Sequence, residues 1–240
     1  MKMIAKINCG SLALATSLVS AVVPALGQGT LVIQHTGATD PLTEGYTKLG
    51  PGSGYPVIND MGVNAWVAPG ISNLNVFYNY ILTPRQQAES AGAGWILSAD
   101  LRITTTNSFP MFGLTLDGYG LNFGSDSNGN QYVLYGSGGT DHVTLPGSSY
   151  NDYQLVYDAS LGTVSLWING IVYANNIFTN QHETYLQEVS WGSGYYGAQI
   201  AQANWNMVSL VITPEPSTIC LLLLGTGILF YVSRRNRYGL

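Results

Sequence analysis

The stretch that decides the fold is YNDYQLVYDASLGTVSLWINGIVYANN, from Tyr150 to Asn176. Tyr153, Leu155 and Tyr157 alternate with Gln, Val and Asp, and this period of two is typical of a β-strand with one buried face. A second alternating segment follows after a short turn. Asn169-Gly170 then fits a two-residue type I′ turn, because both central positions of that turn need a positive φ. The stretch therefore predicts antiparallel strands joined by tight turns.

The chain from residue 28 to residue 212 continues in the same style. It is rich in Gly, Tyr, Thr, Ser and Asn and poor in Lys and Glu, which favours strands over helices. Turn residues recur about every 8–12 positions, the spacing of a β-sandwich. Only Pro84–Gly92 reads as helical, and we expect Trp95, Trp167 and Trp205 in the core. The predicted fold class is all-β, a two-sheet antiparallel jelly-roll sandwich.

The N-terminal segment has the three parts of a secretory signal peptide. Lys2 and Lys6 form a basic start, Leu12–Val23 is apolar, and Ala25-Leu26-Gly27 is a small-x-small cleavage site. We predict a signal helix over residues 1–27, with cleavage after Gly27. An uncleaved N-terminal anchor is the alternative.

The C-terminal segment 213–240 also has three parts in a fixed order. A Pro-Glu-Pro triplet (Pro214, Glu215, Pro216) ends the preceding strand, because proline lacks the N–H group that a sheet requires. An uncharged apolar run, Ile219–Val232, predicts a short transmembrane helix. Three arginines then favour a cytoplasmic end: Arg234, Arg235 and Arg237. The alternatives are an ordinary single-pass anchor and a C-terminal core helix.

The ordered combination of triplet, apolar helix and arginine cluster resembles the PEP-CTERM sorting signal of bacterial exported proteins. The resemblance implies that an exosortase, a membrane processing enzyme, recognises the tail during transit through the inner membrane. It also implies a Gram-negative bacterium that makes exopolysaccharide, and a destination at the cell surface or in the extracellular matrix. It assigns the sorting signal to six residues: Pro214, Glu215, Pro216, Arg234, Arg235 and Arg237.

The central stretch resembles the sheet core of laminin-G-like and concanavalin A-like jelly rolls. The opening ATDPLTEGYTKLG, from Ala38 to Gly50, also looks like the start of such exported modules. The resemblance implies a β-sandwich over residues 28–212 whose first and last strands lie side by side. Fold analogy alone does not give a function.

Charge and cysteine content exclude several classes of function. Between Gln28 and Thr213 the chain has three Lys or Arg residues and twelve Asp or Glu residues, a formal charge of −9. Nucleic-acid binding needs a basic surface, so we expect no nucleic-acid partner. The two cysteines, Cys9 and Cys220, lie in the terminal segments, which leaves the central part without a disulfide, a thiolate metal ligand or a cysteine nucleophile.

The sequence carries no recognisable catalytic constellation. A glycosidase needs two carboxyl groups about 5–9.5 Å apart, and Glu183 and Glu188 fall on opposite faces of an ideal strand. Asp152 and Asp158 flank an apolar strand as end caps. The three histidines are scattered, and His35 is expected at the surface. We therefore predict a protein that is not an enzyme, with a glycan hydrolase or lyase as the less favoured reading.

One loop is a candidate metal site. Asp126, Asn128 and Asn130 alternate in GSDSNGNQY and offer the oxygen ligands that Ca²⁺ prefers. The alternative is a hairpin turn that uses the same residues for their positive φ values. The turn is favoured, so no cofactor is expected apart from a possible Ca²⁺ ion.

Aromatic residues near polar loop residues indicate carbohydrate binding, because ring faces stack on the apolar C–H faces of sugars. The candidate contacts with a glycan, such as exopolysaccharide, are Tyr119, Tyr132, Tyr135, Trp191, Tyr195 and Tyr196. At least half of them are expected to pack between the sheets instead. The predicted function is an exported, non-enzymatic jelly-roll module that binds carbohydrate; a purely structural matrix protein is the alternative.

Overall fold

The computed structural model describes residues 29–51, 55–70, 76–90, 92–106, 108–116, 118–136, 141–177, 187–193 and 201–213. The chain divides into two units: Thr30–Ile212, and the terminal segments Met1–Gly29 with Thr213–Leu240. The predicted signal helix, transmembrane helix and six sorting residues lie outside the described residues. Among the described residues, no helix is long and apolar enough to cross a membrane.

The described part of Thr30–Ile212 consists almost entirely of β-strands. The strands are β1 (Thr30–Thr36), β2 (Thr47–Leu49), β3 (Tyr55–Asp60), β4 (Val63–Gly70), β5 (Phe77–Ile81), β6 (Gly94–Ile103), β7 (Ser108–Leu116), β8 (Tyr119–Ser125), β9 (Gln131–Tyr135), β10 (Asp141–Leu145), β11 (Asn151–Asp158), β12 (Thr163–Ile168), β13 (Ile171–Ala174), β14 (Glu188–Ser193) and β15 (Ala201–Thr213). One α-helix, α1 (Pro84–Ser90), confirms the predicted helical segment, and a 3₁₀ turn spans Pro41–Glu44.

The strands form two antiparallel sheets, which confirms the all-β sandwich. Sheet A has eight strands in the order β13-β12-β11-β6-β15-β4-β3, with β1 also paired to β15. Sheet B has seven strands in the order β10-β9-β8-β7-β14-β5-β2. Thr30 pairs with Ile212, so the first and last strands lie side by side as the jelly-roll resemblance implied.

The core lies between the sheets and is rich in large aromatic side chains. Trp191 of β14 lies at its centre, with ring centroids 4.8 Å from Tyr78 and 5.1 Å from Trp205. Alternation along each strand places these residues inward. Burying rings of this size removes much apolar surface from water, which holds the sheets together without disulfides.

The predicted hairpins are confirmed residue by residue. In β11 and β12, Tyr153 pairs with Ile168 and Leu155 pairs with Leu166. Asn169 and Gly170 have φ values of 51° and 76°, as a type I′ turn requires. Trp167 was expected in the core, and this is wrong: it is half-buried on the outward face of sheet A. Its neighbours Leu166 and Ile168 take the inward positions, so the period of two turns Trp167 outward.

The expectation that His35 lies at the surface is also wrong. Its side chain is fully buried at the end of β1 and stacks on Trp191, with ring centroids 4.5 Å apart. The Nδ1 atom lies 2.6 Å from Oε2 of Glu44 in the 3₁₀ turn. The same carboxylate accepts hydrogen bonds from the Thr36 N–H and the Thr39 hydroxyl. The 3₁₀ turn is thereby fastened to β1.

Candidate functional site

At the centre of sheet B, several outward-facing positions are occupied by glycine. Gly113 of β7, Gly120 and Gly124 of β8 and Gly192 of β14 each lie between two inward-facing residues, so all four occupy outward positions. Because glycine has no Cβ, side chains from neighbouring strands can lie directly on this backbone. We call these four positions the glycine floor.

Strand register aligns several outward residues in one row across the sheet. Gly192 pairs with Phe77 on one side and with Gly113 on the other. Gly113 pairs with Asn122, which pairs in turn with Leu134. The row therefore crosses five strands and carries an aromatic ring at one end and an exposed amide near its middle.

The ring of Phe77 lies along this row. Its Cε1 and Cζ atoms are 3.5 Å and 3.6 Å from the position that a Cβ would take on Gly113, two strands away from β5. A side chain that reaches so far across the sheet must lie over Gly192, between the two. Phe77 is only half-buried, so part of its ring stays open to solvent.

The ring of Tyr132 lies on the glycine floor from the opposite side. A Cβ on Gly124 would collide with the Cζ and hydroxyl atoms of this ring. The Tyr132 hydroxyl donates a hydrogen bond to the Ser108 carbonyl oxygen at 2.9 Å, which fixes the ring in this position. Partial burial raises the pKa of the phenol, so the hydroxyl stays protonated at neutral pH.

Polar side chains lie between and beside the two rings. Asn122 is exposed and belongs to the row itself. Ser190 donates its hydroxyl to Asn79 Oδ1 at 3.0 Å, and Asn79 donates to Glu188 Oε2 at 2.9 Å. The Thr115 hydroxyl donates to the Ser190 carbonyl oxygen at 3.4 Å. Two aromatic surfaces flanked by amides and hydroxyls can stack on a sugar ring and bond its hydroxyl groups.

Of the four predicted aromatic contacts that the structure describes, Tyr132 is the one on this face. Tyr119 is 3% exposed and Trp191 is 0% exposed, so both are core residues with no surface to offer a glycan. Tyr135 is half-buried and packs against the core. Tyr195 and Tyr196 lie outside the described residues.

The candidate calcium ligands form a turn between β8 and β9. Asp126 Oδ1 accepts hydrogen bonds from the Asn128 and Asn130 N–H groups, both at 2.8 Å, and its Oδ2 accepts from the Asn130 side chain. These bonds lower the pKa of Asp126, so the carboxylate stays ionised and holds the turn. Across the described ranges, no group of three or more His, Cys, Asp or Glu residues could hold a metal ion.

The carboxylates weighed as hydrolase candidates lie on different sheets: Glu188 is on β14 of sheet B, and Asp152 and Asp158 are on β11 of sheet A, where Asp152 pairs with Asp100. Glu188 lies exposed on β14, where it accepts the hydrogen bond from Asn79. Asp158 binds the N–H groups of Ser160 and Leu161 and caps the turn after β11, as its sequence position indicated. Glu183 lies outside the described residues.

Comparison with known proteins assigns the C-terminal segment. Residues 213–237 match the model of the PEP-CTERM protein-sorting motif. The chain therefore carries this motif, which confirms the resemblance drawn from the Pro-Glu-Pro triplet, the apolar run and the arginines. The motif marks the chain as an exported protein that is sorted to the cell surface and implies processing by an exosortase. No match to a curated protein sequence was found.

Solved structures with similar folds support the jelly-roll class. The CBM2 module of the evolved Dit protein from Lactobacillus casei BL23 phage J-1 has a TM-score of 0.55 at 12% identity, covering 78% of this chain and 97% of that one. A carbohydrate esterase from the Shiga toxin-encoding bacteriophage phi24B has a TM-score of 0.53 at 11% identity, covering 77% of this chain and 99% of that one.

The botulinum neurotoxin serotype D/C binding domain also matches, with a TM-score of 0.53 at 8% identity. The match covers 81% of this chain and 52% of that one, so the chain spans about half the length of the neurotoxin domain. At these identities the likeness shows the fold alone.

Proposed function

We propose that this protein is a non-enzymatic carbohydrate-binding module at the surface or in the matrix of a Gram-negative bacterium, and that the glycine floor of sheet B is its binding face. The observation that carries the proposal is the pair of rings, Phe77 and Tyr132, that lie on glycine backbone and remain partly open to solvent. Rings held against a sheet need little further ordering when a sugar stacks on them, so binding costs less conformational entropy.

The fold neighbours are consistent with this function. One of them is named a CBM2 module, and another is named a carbohydrate esterase. These names support carbohydrate as the class of ligand. The preference for a binding function over a hydrolytic one rests on the residues of this chain. The Tyr132 hydroxyl donates its hydrogen bond to the Ser108 carbonyl oxygen and not to a carboxyl group.

The charge of the module favours a neutral glycan. The outward residues of the site include Glu188 but no Lys or Arg. Arg102 is paired with Asp60 on sheet A, Arg85 is paired with Glu89 on α1, and Lys48 lies on β2 at the edge of sheet B. With a formal charge of −9 between residues 28 and 213, the module would repel a polysaccharide rich in uronic acids.

The proposal is tested by measuring glycan binding of the full chain on an array of neutral and acidic bacterial polysaccharides. We expect binding to neutral glycans, and a loss of about fivefold in affinity for Phe77→Ala and for Tyr132→Ala, since each ring contributes about 1 kcal/mol of stacking. Trp167→Ala is the matched control, because Trp167 is a half-buried aromatic residue on the outward face of the other sheet.

Three outcomes would contradict the proposal. Unchanged binding in both ring variants would show that the glycan binds at another site. No binding to any glycan would favour the structural matrix protein, and release of reducing ends from a bound polysaccharide would restore the hydrolase reading.

A further inference from the structure

The row of outward residues that crosses the glycine floor continues to both edges of sheet B. At one end, Leu49 of β2 pairs with Phe77. At the other end, His142 of β10 pairs with Leu134. The row therefore crosses all seven strands of the sheet, and its members in spatial order are Leu49, Phe77, Gly192, Gly113, Asn122, Leu134 and His142.

This row is long, and its two ends are accessible. Neighbouring strands lie about 4.8 Å apart, so a row across seven strands measures about 29 Å, several times the length of one sugar ring. Leu49 is 52% exposed and His142 is also exposed. Both belong to edge strands, beyond which no described strand continues the sheet. A ligand in the row can therefore extend past either edge.

A second row of outward residues runs beside the first and is polar. It consists of Thr47, Asn79, Ser190, Thr115 and Gly120, each two positions along its strand from a member of the first row. The three hydroxyl groups donate their hydrogens within the sheet: Thr47 to the Asn79 carbonyl oxygen, Ser190 to Asn79 Oδ1 and Thr115 to the Ser190 carbonyl oxygen. A hydroxyl oxygen whose hydrogen is used still has a lone pair to offer. This row can therefore accept hydrogen bonds from the hydroxyl groups of a sugar.

The two rings of the site lie in opposite halves of the sheet. Phe77 belongs to β5 and Tyr132 to β9, and β7 is the central strand between them. Asn122 of β8 lies in the row between the two strands and is exposed. A ligand along one strand would meet only one of the rings, so a ligand that contacts both must lie across the strands.

We propose that the row binds an internal segment of a long, linear, neutral polysaccharide, which lies across the seven strands at right angles to them. The proposal rests on the proposed function of the glycine floor and adds the length and the direction of the ligand. The sugar rings stack on Phe77 and Tyr132, and their hydroxyl groups bond to Asn122 and to the polar row. Neither row contains Lys, Arg, Asp or Glu, which fits an uncharged chain.

Calorimetric titration of the full chain with oligosaccharides of increasing length tests the length of the ligand. The oligosaccharides are cut from a neutral polysaccharide that binds on the array. We expect the affinity to rise with each added sugar until the oligosaccharide spans the row, because each one meets a further strand, and then to level off. Equal affinity for the shortest and the longest would overturn this proposal and leave glycan binding intact. No binding at any length would overturn the proposed function as well.

Variants at the two ends of the row test its extent. We expect Leu49→Ala and His142→Ala each to lower the affinity for the longest oligosaccharide by about threefold, and for the shortest by less, because peripheral contacts contribute less than central ones. Leu161→Ala is the matched control, since Leu161 is 71% exposed in the turn between β11 and β12 of sheet A. It should lower neither affinity. Unchanged affinity for the longest oligosaccharide in both end variants would contradict the proposal.

A spin label at the reducing end of the oligosaccharide tests its direction. A nitroxide broadens the NMR signals of the backbone amides that lie close to it. We expect broadening at one end of the row, at Leu49 or at His142. Broadening confined to Tyr119 or Ser125, the two ends of β8, would show that the glycan lies along the strands and would overturn the proposal.

Discussion

At the scale of single residues, the two glycines beneath the aromatic rings are not equivalent. A Cβ at Gly124 would collide with the Tyr132 ring and with the Ser108 carbonyl oxygen. A Cβ at Gly113 would meet the Phe77 ring at 3.5 Å, an ordinary van der Waals distance. The position of the Tyr132 ring therefore depends on glycine at residue 124. Glycine at residue 192 is required by the neighbouring backbone instead, because the Val76 carbonyl oxygen leaves no room for a Cβ there.

The sequence predicts some of these residues and not others for a physical reason. Tyr119 and Trp191 stand near polar loop residues, as a glycan contact would, but strand register turns both inward. The alternation in Phe77–Ile81 separates two faces of a strand without showing which one faces solvent. Only the pairing of Phe77 with Gly192 places its ring on the glycine floor, and that pairing joins residues distant in sequence.

The buried pair of His35 and Glu44 makes stability depend on pH. Burial alone would raise the pKa of Glu44, but hydrogen bonds from His35, Thr39 and the Thr36 N–H lower it below its ordinary value of 4.5. Because the pKa is lowered in the folded state, the ionised Glu44 carboxylate stabilises the fold above pH 4.5. This stabilisation is lost as the pH falls through the lowered pKa. We expect Glu44→Gln to lower the free energy of unfolding at neutral pH by about 1–2 kcal/mol, with a smaller difference in acid, measured by urea denaturation across pH.

A contrasting variant serves as the control. Asp100 and Asp152 are paired across β6 and β11, and burial raises the pKa of both; for Asp152 the charge of Asp100 adds to this. Carboxyl groups with raised pKa values make the fold less stable as pH rises through those values. We therefore expect Asp152→Asn to raise the free energy of unfolding at neutral pH, whereas Glu44→Gln lowers it. Equal pH profiles for the two variants would contradict this account.

At the scale of elements, the hairpin of β12 and β13 depends on its turn. Gly170 has a φ of 76° and open space around its Cβ position, so alanine there would be strained by backbone conformation alone. We expect Gly170→Ala to lower the free energy of unfolding by about 1 kcal/mol. Gly170→Asn should cost less, because asparagine tolerates a positive φ. Chemical denaturation measures both, and an alanine variant as stable as the original chain would show that the turn relaxes.

Long alternating strands were predictable, and short strands were not. The β11, β12 and β13 segments each carry their own pattern or turn signal. By contrast, β2 has three exposed residues and β10 has mostly exposed ones, so neither shows an apolar face. Such strands form because the edge of a neighbouring strand is available for pairing. β2 pairs with β5, and β10 pairs with β9.

At the scale of the whole molecule, composition and turn spacing predict two packed sheets but not their strand order. Strand β15 shows why: its first part, Ala201–Trp205, pairs with β4, and its last part pairs with β1. The last described strand thus pairs along its length with two strands from the N-terminal third of the chain. The glycine floor is likewise a product of strand order, since its row brings together β5, β14, β7, β8 and β9.

The most direct test of the binding face is a residue-resolved NMR titration of the full chain with a neutral oligosaccharide that binds on the array. We predict that the backbone amide signals of Gly113, Asn122 and Gly192 shift together as the sugar is added, while that of Ser98 on the outward face of sheet A does not. Shifts confined to sheet A, with the glycine floor unchanged, would contradict it.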